Sequence, residues 1–129
     1  MKFDKLLILC FTGFILTLAS CSEEKEDRHK LISGDWHGVS WIIDDTNQEY
    51  DASRVNFSFD KDGSYTAQLG NREEIGAYRF MGEMLYTHAD GQSEIGVKLL
   101  RLDRDTMVMQ MNRGGQMESL TLASGESSD

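Results

Sequence analysis

The chain has 129 residues, with 22 Asp and Glu against 13 Lys and Arg and a formal charge of −9. That charge repels a phosphate backbone, and no basic stripe interleaved with aromatics offsets it, so nucleic acid is excluded as a partner. The length allows one domain with a modest core, and the absence of proline leaves every candidate strand free to sit inside a sheet.

The first twenty residues read as a secretory signal peptide. Lys2 and Lys5 open the chain, and Leu6 to Leu18 is apolar except for Thr12, Gly13 and Thr17. That run is too short for a helical span of about 20 residues, and it ends in small residues, as a cleaved leader does. Leu18-Ala19-Ser20-Cys21 resembles the lipobox of bacterial lipoproteins. The resemblance implies diacylglyceryl transfer to the Cys21 thiol, cleavage before it and acylation of the new amine. Cys10 lies in the removed segment, so the mature chain holds no pair for a disulfide. Two or more acyl chains anchor a protein firmly, which makes the membrane a partner through the lipid.

Residues 21–29 form an acidic tether, with Glu23, Glu24, Glu26 and Asp27 and nothing apolar to bury. Ser22 after the lipidated cysteine looks like lipoproteins sent to the outer membrane. The acids behind it resemble the surface-export signal of lipoproteins in the Bacteroidota. The expected location is the outer membrane at the cell surface, with its periplasmic face as the alternative.

Residues 30–123 form the expected domain, ahead of a polar tail, 124–129. A short helical turn over Asp27 to Ser33 is stopped by Gly34. Strands follow, because apolar residues alternate in short runs between Gly, Asp and Asn. The alternation predicts eight: Trp36 to Ile43, Val55 to Asp60, Ser64 to Leu69, Glu74 to Phe80, Met84 to His88, Glu94 to Leu102, Thr106 to Asn112 and Gln116 to Ala123. Short links such as DKDG (60–63) and RGG (113–115) predict antiparallel hairpins, since a parallel crossover needs a dozen residues. Only Asp44 to Arg54 is long. An uncovered meander of eight strands hides its edges by closing, so the fold class is an all-β, eight-stranded antiparallel up-and-down barrel. An open β-sandwich is the alternative. Trp41 has the opposite parity to Trp36, so either one of them is exposed or a bulge lies between them. Ile95, Val97 and Leu99 compete with Leu100 and Leu102 for the inside.

Gly34-Asp35-Trp36 is similar to the Gly-x-Trp motif that begins the first strand of lipocalins. The runs VNFSFDKDGSYTAQLG, EIGAYRF, MLYTHADG and MVMQMNRGG look like the lipocalin-like lipoproteins of the Bacteroidota, over residues 30 to 123. The resemblance implies a barrel plugged by Trp36, partly lidded by Asp44 to Arg54, and binding a small apolar molecule. Lipocalins also set a late arginine over that tryptophan. Here the last strand has none, and Arg113 is placed in the turn before it.

Met107, Met109 and Met111 share one strand face, with Met84 and Met117 as possible additions. Flexible thioethers line surfaces that accept varied apolar shapes, and they also fill ordinary cores. Phe57, Phe59, Tyr65, Tyr78 and Phe80 are expected to face inward, where the two phenols need hydrogen-bond partners. These eight residues are the candidate ligand contacts. Asp60-Lys61-Asp62-Gly63-Ser64 lacks the glycine and glutamate positions of a calcium loop and reads as a hairpin turn. His29, His37 and His88 are scattered, and no serine sits in a nucleophile elbow. The chain is therefore expected to hold no catalytic residue, metal or cofactor. Its expected role is non-catalytic binding of a small apolar ligand. The alternative is a packed barrel that binds an envelope protein as an accessory subunit or inhibitor.

Overall fold

The computed structural model describes residues 28–125. The expected signal peptide, Cys21, most of the expected tether and the last four residues lie outside the described residues. Residues 28–32 are helical. Gly34 then takes φ +118°, a value that L side chains rarely adopt, and turns the chain into the first strand.

Strands follow in chain order: β1 (Gly34–Ile43), β2 (Glu49–Tyr50), β3 (Val55–Phe59), β4 (Ser64–Leu69), β5 (Arg72–Met81), β6 (Met84–Ala89), β7 (Ile95–Leu102), β8 (Thr106–Arg113) and β9 (Gln116–Ser124). Each from β3 to β9 pairs antiparallel with its predecessor in the meander, and β9 returns to β1 from Trp36↔Ser124 to Ile43↔Glu118. β1 is thus hydrogen-bonded on both flanks, to β3 and to β9, which closes the barrel and eliminates the open sandwich. The eight longer strands fall where alternation placed them, with ends shifted by one or two residues. The two-residue β2 was not expected. It pairs with β1 at Trp41↔Tyr50, beyond the stretch of β1 that β3 covers.

Two bulges resolve the parity conflicts. β1 carries an extra residue, Val39, between Gly38 and Ser40, so Trp36 and Trp41 both point inward. β7 carries an extra residue, Leu100, between Leu99 and Arg101. Val97 and Leu99 therefore face inward before the bulge and Leu102 after it, while Leu100 is half exposed. Met84 and Met117 take outward parity, next to inward Leu85 and Glu118, and do not join the methionine stripe.

The helical turn caps one end. Ile32 is fully buried, and the Trp36 indole Nε1–H donates to the Ile32 carbonyl at 2.7 Å. Arg28 donates to the Gly82 carbonyl in the β5–β6 turn and lies over the Phe80 ring. His29 packs against Phe80 and Tyr78. A ring the size of Trp36 buries about 150–250 Å², which at about 25 cal/mol per Å² contributes at most about 4–6 kcal/mol.

Candidate functional site

The turns 44–48, 70–71, 90–94 and 114–115 gather at the end opposite the helical cap. Inward positions close to these turns carry polar side chains. Glu118 is 1% exposed, and an isolated carboxylate there would be very costly. Three donors surround it. Trp41 Nε1 donates at 2.7 Å, Gln116 Nε2 at 2.8 Å and Arg113 Nη1 at 3.3 Å. Burial opposes the charge, but the bonds from Gln116 and Trp41 and the Arg113 guanidinium outweigh it, so the carboxyl lies below its ordinary range. Arg113 is the last residue of β8 rather than part of the turn, and its guanidinium lies 5.6 Å from the centre of the Trp41 ring. Tyr50 packs edge-on against Trp41 at 5.1 Å. An arginine does cover a tryptophan here, but it is Trp41 at the mouth and not Trp36 at the plug.

A second carboxylate repeats the plan. Glu74 is buried, accepts from the Tyr65 hydroxyl at 3.0 Å and pairs with Arg72 at 3.0 Å. Burial first, then the charge of Glu74, push the Tyr65 hydroxyl up to about 12. Arg72 and Arg113 are 61% and 57% exposed, so their ion pairs are screened on the outer side and add little stability by themselves. Ile95, the first residue of β7 and at the same end, is half exposed.

The long link closes over this end from one side. Asp44 fixes its start, accepting from Gln110 at 3.1 Å and Ser119 at 2.7 Å. Asp51 accepts from the Ser53 amide and hydroxyl, and these bonds hold its carboxyl below the ordinary range. Next to Asp51, Ala52 is buried in the core cluster. It presses on Gly38, where a Cβ would stand 2.2 Å from the Ala52 carbonyl oxygen.

The eight candidate ligand contacts do not form one site. Met107, Phe59, Tyr65, Met109 and Tyr78 are 0–5% exposed, as is Trp36, so little of their surface meets solvent. The Tyr78 hydroxyl donates to the Asp60 carbonyl at 2.6 Å, and burial raises its pKa. Phe80 lies under Arg28 and His29 at the closed end. Phe57 and Met111 are partly buried, Met111 two residues from Arg113 at the mouth. Tyr50, Arg72, Glu74 and Glu118 were not singled out by sequence reasoning, while Trp41 was noted only for its parity and Arg113 only for its place before the last strand. One signal was present: Glu118 shares its parity with Leu120 and Leu122, which puts a carboxylate among core positions.

Two hollows lie among the described residues. One, of about 420 Å³, runs across β1, β3, β4 and β5, where outward residues such as Asp35, Ser58 and Gln68 line it together with the inward-parity Trp36, Phe57, Ala67 and Glu74. The other, of about 680 Å³, lies at the closed end between Lys30, Leu31, Ser33, Arg104 and Ser124. Among the described residues no three His, Cys, Asp or Glu side chains group as metal ligands.

No protein-family model matches the chain, and no curated protein matches it. Solved structures do. A lipocalin-like protein from Bacteroides uniformis ATCC 8492 aligns at 15% identity and TM-score 0.58, over 73% of this chain and 98% of its own. An uncharacterized protein from Bacteroides eggerthii DSM 20697 aligns at 13% and 0.59, over 73% and 99%. A DUF4847 family protein from Bacteroides vulgatus ATCC 8482 aligns at 13% and 0.53, over 77% and 96%. At these identities the likeness is one of fold, a closed lipocalin-like barrel.

Proposed function

We propose that the protein is a lipoprotein of the outer membrane, anchored through Cys21 and facing the cell surface, whose barrel is a packed, non-catalytic module that binds a protein partner through its mouth. The observation that carries this reading is the contrast between a filled interior and a pre-set mouth. Trp36, Met107, Met109, Leu120 and Leu122 are 0–3% exposed, whereas Tyr50, Trp41 and Arg113 stand together around Glu118. Tyr, Trp and Arg dominate the energetics of protein interfaces, and anchors already held in place lose less freedom on binding. The two buried carboxylates each face an arginine, an arrangement suited to holding shape rather than to moving protons.

A photo-crosslinking residue at position 50 on intact cells tests this. One discrete adduct is expected, lost in the Trp41→Ala and Arg113→Ala variants. An adduct indifferent to both substitutions overturns it. One observation favours a second reading, a small apolar ligand under the link: Phe57, Leu69 and Met111 are only partly buried. Solvent extraction and mass spectrometry of the purified domain separate the two, because a reproducible co-purified lipid supports the second. Release of Cys21→Ala from membranes tests the anchor, and protease shaving of intact cells tests the surface location.

A further inference from the structure

We infer that the closed end of the barrel faces the membrane, with Lys30 and Arg104 set to meet lipid phosphates, and that the mouth points away from the anchoring leaflet. This rests on the lipid-anchor reading of Cys21. The chain enters the described structure at the closed end, because Arg28 is bonded to the β5–β6 turn and Ile32 lies under Trp36. Seven residue steps separate Cys21 from Arg28. Any chain of that length reaches about 25 Å when fully stretched, and a random coil of that length spans about 15 Å.

β1 has ten residues; at about 3.3 Å per residue and a barrel tilt of about 40° the wall is about 25 Å tall. A mouth lying on the bilayer would need the tether drawn straight along the whole wall, with its conformational freedom lost. The closed end needs none of this.

The chemistry of that end agrees. Its hollow of about 680 Å³ has two cations, Lys30 and Arg104, on its lining. Two neighbouring cations are already engaged, Lys98 with Glu83 at 3.6 Å and Arg101 with Asp103 at 2.7 Å, while Lys61 in the β3–β4 turn adds a third cation to this end. Among the described residues Lys30 and Arg104 join no ion pair, which leaves them for phosphate. Of the acids at this end, Asp62 is turned into its own loop by the Ser64 amide and hydroxyl and Asp103 by the amides of residues 105 and 106, while the exposed Asp105 beside Arg104 offsets part of the positive charge.

The test uses the full acylated chain in vesicles containing phosphatidylglycerol. Signal-peptide removal leaves no other free thiol, so Lys61→Cys in the β3–β4 turn and Asn71→Cys in the β4–β5 turn each carry a single fluorophore. A headgroup-located nitroxide is expected to quench the label at 61 several-fold more than the label at 71. Equal or reversed quenching in a chain that floats with the vesicles overturns the orientation alone. A chain that does not float overturns the anchor reading and this inference with it. Lys30→Glu combined with Arg104→Glu is expected to cut the quenching at 61 by about half without changing flotation; unchanged quenching removes the phosphate contacts.

Discussion

The two ends of the barrel use the same alternating strands for opposite purposes. At the closed end the inward positions hold Ile32, Trp36, Met107 and Leu122, all 0–2% exposed, under a helical cap. At the mouth they hold Glu74 and Glu118, and among the described residues these are the two buried charged groups. Apolar residues of similar volume would hold a barrel shut as well as a satisfied ion pair does. The mouth therefore gives up packing for fixed polar geometry, with the indole of Trp41 and the guanidinium of Arg113 both positioned by one carboxylate. One end secures the fold, and the other presents chemistry.

That division is broken most directly by truncating one side chain at each end. Trp36→Ala removes the plug and is expected to cost about 3–5 kcal/mol, a large part of a total of about 5–15 kcal/mol. Tyr50→Ala at the mouth is expected to cost less than about 1 kcal/mol, since Tyr50 is 40% exposed. Urea unfolding of both variants decides; similar losses would mean that the ends do not differ in this way. The methionine stripe sharpens the contrast within a single strand. Met107→Ala is expected to cost about 2–5 kcal/mol, because the residue is fully buried, and Met111→Ala about 1 kcal/mol, because it is not. Equal costs would place the boundary between the ends elsewhere.

Much of the closed end was legible in the sequence. Alternation in SYTAQL and TMVMQM sets Tyr65 inward and Met107 and Met109 on one face, and the structure buries all three. The parity clash between Trp36 and Trp41 left two outcomes, an exposed indole or a bulge, because a regular strand cannot bury both; the register shift between Gly38 and Ser40 is the bulge. Less of the mouth was legible. Trp41 and Glu118 lie 77 residues apart and meet only through the closing β1–β9 register. No local pattern encodes that register, which follows from the length of every strand and turn between them. β2 was missed because two residues carry no period. The inward parity of Glu118 was visible, but it reads as a solvated carboxylate until the residues around it are known.

The link across the mouth offers an intermediate test. Gly38→Ala would place a Cβ 2.2 Å from the Ala52 carbonyl oxygen, a backbone atom that cannot rotate away. The link must then lift, at an expected cost of about 1–3 kcal/mol. Faster proteolysis between residues 49 and 54, with the cap at the closed end unaffected, is the expected result. Unchanged cleavage would show that the link already moves freely over Gly38.

A finer substitution separates charge from shape at the mouth. Glu118→Gln keeps the size of the side chain but presents an amide N–H₂ to donors that need an acceptor, and is expected to cost about 1–2 kcal/mol at neutral pH. The folded Glu118 carboxyl lies below its ordinary range. Its contribution is therefore present above the unfolded value of about 4.3 and is lost as pH falls through the folded one. Asp51, Asp62, Glu94 and Asp103 shift in the same direction, chiefly through hydrogen bonds. They remain in the variant and cancel when it is compared with the parent chain. The stability gap between the two proteins should thus be widest near pH 7 and should narrow below pH about 4. A gap that stays constant down to pH 3 would mean that Glu118 acts at the mouth by its shape alone, and that Trp41 and Arg113 do not depend on its charge.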